Sequence, residues 1–376
     1  MTRTFKGFVA AAMLASGASL TAQSGAPEIA FDSTADLLKT NTDGPNAVFV
    51  GEVGGVGQDS RGRIFVYTRT GHPYATLADN RTFQRGGSRL LVFDRTGKMT
   101  AEWGQDVYGF NAAIGLRVDP QDNVWTIDEV ASQVVKFNPD GSVGLVLGRK
   151  PEAIGVRPAA PPAGRGGGPE AGRGGPPAFP PGGPGGRGNA LPGSGTPGST
   201  FNRPTDVAWD KQGNIYIADG IGNNNRIAKF DKEGRFIRQW GSTGSENGQF
   251  RGIKSLAIDA AGNVYAADHG NKRVQVFDAD GTYKSQFTGI GTPLTMCMTT
   301  GATQYLYISH SGDADGMEDA YIQKVGLDGK VIGKFGSAGR LPKQFGLANS
   351  IDCRNENELL VGEMAVWRVQ KIALKK

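Results

Sequence analysis

Histidine is scarce in this chain of 376 residues: only His72, His269 and His310 are present. A centre built on three converging imidazoles would have to use all of them. Cysteine is scarcer, at two residues, too few for a disulfide framework. Charged residues make up only 20%, and the formal net charge of +5 is spread thinly along the chain. That leaves no electrostatic footprint for a nucleic-acid partner. Long apolar runs are missing apart from residues 7–20, a run too short to span a bilayer. No membrane span is expected.

That apolar run follows Arg3 and Lys6 and precedes small residues, the layout of a secretory signal. The expectation is a signal peptide over 1–23 and an exported protein, periplasmic or extracellular. It would be soluble and monomeric, and residues 24–376 would form one domain. Export permits a disulfide. However, Cys297 and Cys353 fall in equivalent strands of successive repeats, one position out of step. Alternation puts them on opposite faces of their sheets, so no bond is expected between them.

Glycine, by contrast, is abundant at 58 residues, which argues for a turn-rich β protein over a helical bundle. Five turns share a landmark glycine: Gly97, Gly141, Gly234, Gly281 and Gly329. An Asp or Asn ahead of such a glycine suits the left-handed backbone of a tight hairpin. The period is about 47 residues. One interval is twice as long, because residues 157–200 form a Gly/Pro-rich insertion with almost no apolar side chains. This segment reads as disordered. Arg165, Arg173 and Arg187 lie there in RG context, which in an exported chain reads as a solvated spacer.

Each repeat holds four short alternating segments, such as "TDVAWD", "NIYIAD", "RIAKFD" and "FIRQWG". Four strands per 40–50 residues is the signature of a propeller blade. Val56, Leu116, Val207, Leu256, Met296 and Ile351 mark six first strands. The fold class is therefore an all-β, six-bladed β-propeller with four antiparallel strands per blade. The last copy runs out after three strands, so an N-terminal strand near residues 35–40 is expected to close the ring. The repeated aspartates ending strand two, Asp219 and Asp268, read as scaffold that caps the following turn and pairs with Arg226 and Arg273. Trp103, Trp125, Trp209 and Trp240 sit at repeat landmarks and read as blade packing.

The phrase "FNRPTDVAWDKQGNIYIADGIGNNNRIAKFDKEGRFIRQWG" resembles an NHL-repeat blade. Together with "GVGQDSRGRIFVYTRTGH", "GLRVDPQDNVWTIDEVASQVVKF" and "SLAIDAAGNVYAADHGNKRVQVF", it is similar to the peptidyl-α-hydroxyglycine α-amidating lyase family. The resemblance implies a catalytic zinc held by three histidines, with an arginine, a tyrosine and a second arginine beside it. It also implies a structural calcium held partly by an aspartate. The corresponding positions here are Ile114, Lys254 and Asn349 for zinc, then Arg69, Ile221 and His269, and Ser350 for calcium. Only Arg69 keeps the family's side chain.

The expected function is thus an exported NHL-repeat module binding a protein, a peptide or a small anionic ligand on its loop-rich face. Arg69, Lys254, His269 and Asn349 are the candidate lining residues. The alternative is a divergent carbon–nitrogen lyase cleaving peptidyl-α-hydroxyglycine or a related carbinolamide, and only that reading calls for zinc or calcium. The remaining metal donors would be His269 and His310, with Asp313 and Asp315 in "SGDADGMED". That loop lacks the EF-hand spacing and reads as solvated.

Overall fold

Aspartates at the strand ends build the turns that set the repeat. Asp119 Oδ1 accepts hydrogen bonds from the backbone N–H of Gln121 and Asn123, both at 2.9 Å. Asp210 and Asp259 do the same one and two blades later. These side chains satisfy turn amides that no sheet ladder can reach. At the outer hairpins the landmark glycines take the left-handed backbone: Gly281 has φ +89°, and a Cβ there would sit 2.5 Å from the Trp240 ring.

The computed structural model describes residues 25–375, apart from 44–46, 70–73, 77–81, 85–86, 106, 108, 149–197, 222–223 and 312–317. The proposed signal peptide and almost all of the proposed insertion therefore lie outside the described residues. So do His72, Asp313 and Asp315.

The described strands form six four-stranded antiparallel sheets, with three short two-stranded ribbons beside them. The inner strands of blades 1 to 6 are Glu52–Gln58, Ala113–Val118, Pro204–Trp209, Ile253–Ile258, Pro293–Met298 and Ala348–Asn355. Each inner strand packs on the next, and the sixth packs on the first, so the ring is closed. The six residues that mark the inner strands in the sequence are all buried, none more than 1% exposed. Six apolar clusters fill the wedges between successive blades.

Closure uses an N-terminal strand, but Phe31–Thr34 supplies it, not residues 35–40. It pairs antiparallel with Arg368–Leu374, from Phe31 opposite Leu374 to Thr34 opposite Lys371. The reason lies in the side chains. Phe31 drops into the blade 5–blade 6 core, its ring 5.2 Å from that of Phe335. Leu37 and Leu38 are adjacent, so they cannot alternate as an edge strand requires, and instead pack against the cluster between blades 6 and 1.

Cys297 and Cys353 form a disulfide with a Cα–Cα distance of 5.9 Å, contrary to the sequence expectation. The two side chains do lie on opposite faces of their sheets, but the architecture turns this into a contact. Cys297 faces away from Met296, which packs toward blade 4, whereas Cys353 shares the face of Ile351. Blades stack face to face around the ring, so opposite faces of neighbouring sheets are the two that meet.

Candidate ligand site at the axial mouth

Inner strands start, and second strands end, on one face of the ring. This face carries the loops that hold the sequence candidates. Arg69 ends the second strand of blade 1, and Lys254 lies in the inner strand of blade 4. His269 opens a short 3-10 turn in blade 4, and Asn349 lies in the inner strand of blade 6. Lys254 and Asn349 line one axial cavity with Ile114, Thr205, Leu294 and Thr295. Its enclosed volume is about 20 Å³, room for roughly one water, before it opens at the mouth.

The candidates differ in how far they are already committed. Arg69 Nε donates to the Ala113 carbonyl at 2.8 Å, and its terminal nitrogens lie 3.3 Å from Glu129 and 3.6 Å from Glu52. Asn349 Nδ2 donates to the carbonyls of Gly54 (2.7 Å) and Ile114 (2.8 Å), tying blade 6 to blades 1 and 2. His269 Nδ1 lies 3.0 Å from the Pro293 carbonyl. A carbonyl only accepts, so Nδ1 carries the proton and a neutral ring keeps its lone pair on Nε2. Lys254 has no hydrogen bond or ion pair among the described residues.

Burial holds the Lys254 ammonium below the usual lysine range; Glu129 opposes this shift and Arg203 adds to it. Burial likewise depresses His269; its bond to Pro293 opposes that, while the charge of Lys254 adds to it. His310 is buried behind, stacked on Tyr321 at 4.7 Å between ring centroids. Neither of its ring nitrogens meets hydrogen-bond geometry, although Thr292 and Gln323 lie close enough to favour the proton. Burial wins and pushes it down to about 4.

The donor set does not fit zinc. At the three positions that the resemblance assigns to it, an isoleucine has no donor atom and a lysine brings a competing charge. The asparagine amide already bridges two carbonyls. Nor does Ser350 stand free for calcium: its hydroxyl is held by Val56, accepting from the amide at 3.0 Å. Among the described residues no three His, Cys, Asp or Glu side chains gather as a metal site.

Glu129, Arg203 and Arg117 also shape this region and are not among the candidates read from the sequence. Glu129 bridges Arg69 and Arg203, whose Nη2 is 3.2 Å from Glu129 Oε2. Its signal was available, since it follows Asp128 as His269 follows Asp268. Arg117 closes the floor. It reaches Asp206, Ser255 and the carbonyl of Met296, linking blades 2 to 5. Beyond it, on the opposite face, lies a larger cavity of about 460 Å³ with apolar walls that include Val207, Met296 and Met298.

A family model described as a 6-bladed β-propeller matches residues 200–341. The chain is 29% identical over 366 residues to peptidyl-α-hydroxyglycine α-amidating lyase 1 of Drosophila melanogaster, covering 87% of this chain and 58% of that protein. It is 32% identical over 259 residues to peptidyl-glycine α-amidating monooxygenase B of Xenopus laevis, covering 64% of this chain and 25% of that one. The chain thus spans a quarter to somewhat over half the length of these relatives. Among solved structures, a Bacteroides thetaiotaomicron protein of unknown function superposes with a TM-score of 0.57 at 13% identity. The match covers 93% of this chain and 77% of that one, and speaks for the fold alone. Sequence and structure together make this chain an NHL-like six-bladed β-propeller, with relatives named amidating lyases at about 29% identity.

Proposed function

We propose that the chain is a ligand-binding propeller. Its working site is the axial mouth around Lys254, and its ligand is a small anion or the acidic end of a peptide. One observation carries this reading: the guanidinium groups at the mouth are paired with carboxylates, whereas the Lys254 ammonium lines the cavity without a partner among the described residues. An anion at Lys254 would supply the missing partner and oppose the downward shift that burial imposes on the ammonium. The module would work without zinc-dependent lyase chemistry, because the donor set is unsuited to that metal. The Cys297–Cys353 disulfide supports the export expectation, since such bonds persist in oxidising compartments. Calorimetry with lactate tests the siting: saturable binding to wild type and none to Lys254→Met is expected. Equal binding to both would overturn it.

The likeness to a protein named an amidating lyase across 87% of the chain favours one second reading, a divergent lyase. Metal analysis after purification in zinc-containing buffer, followed by turnover of a peptidyl-α-hydroxyglycine, separates the two. Stoichiometric zinc with turnover would establish the lyase.

A further inference from the structure

One device of the mouth face occurs twice. In blade 4, Arg273 pairs with Asp268, and its Nη2 donates to the carbonyls of Glu246 and Gln249, both at 2.9 Å. In blade 6, Arg368 pairs with Glu363, and its Nη2 donates to the carbonyls of Leu341 (3.3 Å) and Gln344 (2.8 Å). The loop amides agree as well: those of Glu246 and Leu341 each donate to the glutamine three residues on, at 3.1 Å. The scaffold is the same, but the side chains it displays are not. The loop reads "SENG" over residues 245–248 and "RLPK" over 340–343. The residue ahead of the arginine is Lys272 in one copy and Trp367 in the other, with left-handed backbone in both, φ +54° and +59°.

Blade 4 shows that charged residues satisfy this device, so the scaffold does not call for apolar ones. Leu341 is 67% exposed and Trp367 60%, so neither is held by packing. A bulky ring is also an uncommon occupant of left-handed backbone. Phe49 stands on the same face, three residues ahead of the inner strand of blade 1, and is 60% exposed. These are the three most exposed large apolar side chains among the described residues; the others, Val143, Val146, Phe236, Ile237 and Ile332, lie on outer strands. The surrounding charge is basic. Arg340 is exposed and enters no ion pair among the described residues. Lys343 lies 3.5 Å from Asp32, whose other oxygen is 3.2 Å from Lys375.

We propose that this corner of the mouth face docks on an anionic membrane surface. Leu341, Trp367 and Phe49 enter the boundary between headgroups and acyl chains, where an indole suits both sides. Arg340 and Lys343 meet the lipid phosphates. A lipid surface suits these residues better than a protein partner does. They stand on three separate segments outside both axial cavities, and a lipid needs no matching shape.

Sedimentation with vesicles of phosphatidylcholine, alone or with about one third phosphatidylglycerol, tests the proposal. The wild type should bind the anionic vesicles at least tenfold more tightly than the neutral ones, and less tightly as salt rises. Its tryptophan emission should shift to the blue on binding. Leu341→Glu with Trp367→Lys installs the residues of the blade 4 copy, so the fold should hold, which a melting curve checks, while binding falls at least tenfold. Arg340→Ser with Lys343→Gly, also taken from that copy, should remove the preference for anionic lipid. Val146→Lys, on an outer strand, should change nothing. A wild type that ignores anionic vesicles, or a Leu341→Glu, Trp367→Lys variant that binds them equally well, overturns the proposal. Self-association in the ultracentrifuge that this variant abolishes, without vesicle binding, would give the surface to a second copy of the chain instead. Lactate affinity should be the same in all these variants, so this test stands whether or not the anion site does.

Discussion

Arg117 and Asp206 form a two-pronged ion pair beside the propeller axis, with Nε 2.9 Å from Oδ1 and Nη2 2.6 Å from Oδ2. Ser255 joins it, donating from Oγ to Asp206 Oδ2 at 2.6 Å, and the amide of Leu256 donates to the same oxygen at 3.0 Å. The pair separates the narrow mouth from the larger cavity on the other face. Both side chains are largely shielded from water, so each depends on the other for compensation.

Arg117→Met should therefore cost about 3–5 kcal/mol, the usual loss when one member of a buried pair is removed. Urea unfolding measures it. The double variant Arg117→Met, Asp206→Asn should recover part of that loss, because no bare carboxylate remains. A single-variant loss under about 1 kcal/mol would show the pair to be hydrated.

The disulfide joins blade 5 to the blade assembled from both ends of the described chain, across a sequence separation of 56. In the chain-entropy model a loop of that length stabilises by about 4 kcal/mol. Cys297→Ser with Cys353→Ser should lower the urea midpoint accordingly, and a reducing agent should reproduce the effect in wild type. Lactate affinity should stay within about twofold, since Cys297 and Cys353 line the opposite cavity.

What the sequence discloses and conceals follows from repetition. Asp219 with Arg226 and Asp268 with Arg273 occur as equivalent pairs, and both form, at 2.9 and 2.8 Å. The blade count was legible for the same reason. Arg117 and Asp206 escaped notice because they occur once and meet across blades, where no period points. The disulfide escaped because alternation gives a side chain's face within its own sheet, and only the stacking of blades says which faces meet. The site was legible as a set of positions, but not in its commitments. Nothing in "LANSIDC" says that Asn349 is bound to two carbonyls, or in "RGIKSLAID" that Lys254 is bound to none among the described residues.

His310 makes stability depend on pH in a defined window. Its folded value of about 4 lies below the ordinary 6.5, so between those limits the unfolded chain takes up the proton and the folded one does not. Stability is fully present above about pH 6.5 and falls as the pH drops toward 4. At 1.36 kcal/mol per unit, the loss is on the order of 3 kcal/mol. Urea midpoints from pH 7.5 to 4.5 measure it, and His310→Gln should flatten that part of the slope. An unchanged slope would mean that the buried ring takes up its proton without resistance.

Asn349 and Lys254 line the same cavity, yet they should answer substitution in opposite ways. Asn349→Ala removes two hydrogen bonds that tie blade 6 to blades 1 and 2 and leaves the Gly54 and Ile114 carbonyls without that donor. A loss of about 1–3 kcal/mol is expected, with lactate affinity nearly unchanged. Lys254→Met removes an ammonium held partly out of water without a partner among the described residues, and its four-carbon stem is replaced by a side chain of similar reach. Stability should hold or rise slightly, while lactate binding disappears. The Lys254 contribution has a sign of its own: its folded value is depressed, so below that value the charged amine costs stability, and the cost is relieved as the pH rises toward the ordinary lysine range. The gain from Lys254→Met should therefore shrink at alkaline pH. Thermal melts of both variants at pH 7 and pH 10, beside lactate calorimetry at pH 7, decide the matter. A destabilised Lys254→Met that still binds lactate would make the lysine a scaffold residue and move the ligand site elsewhere.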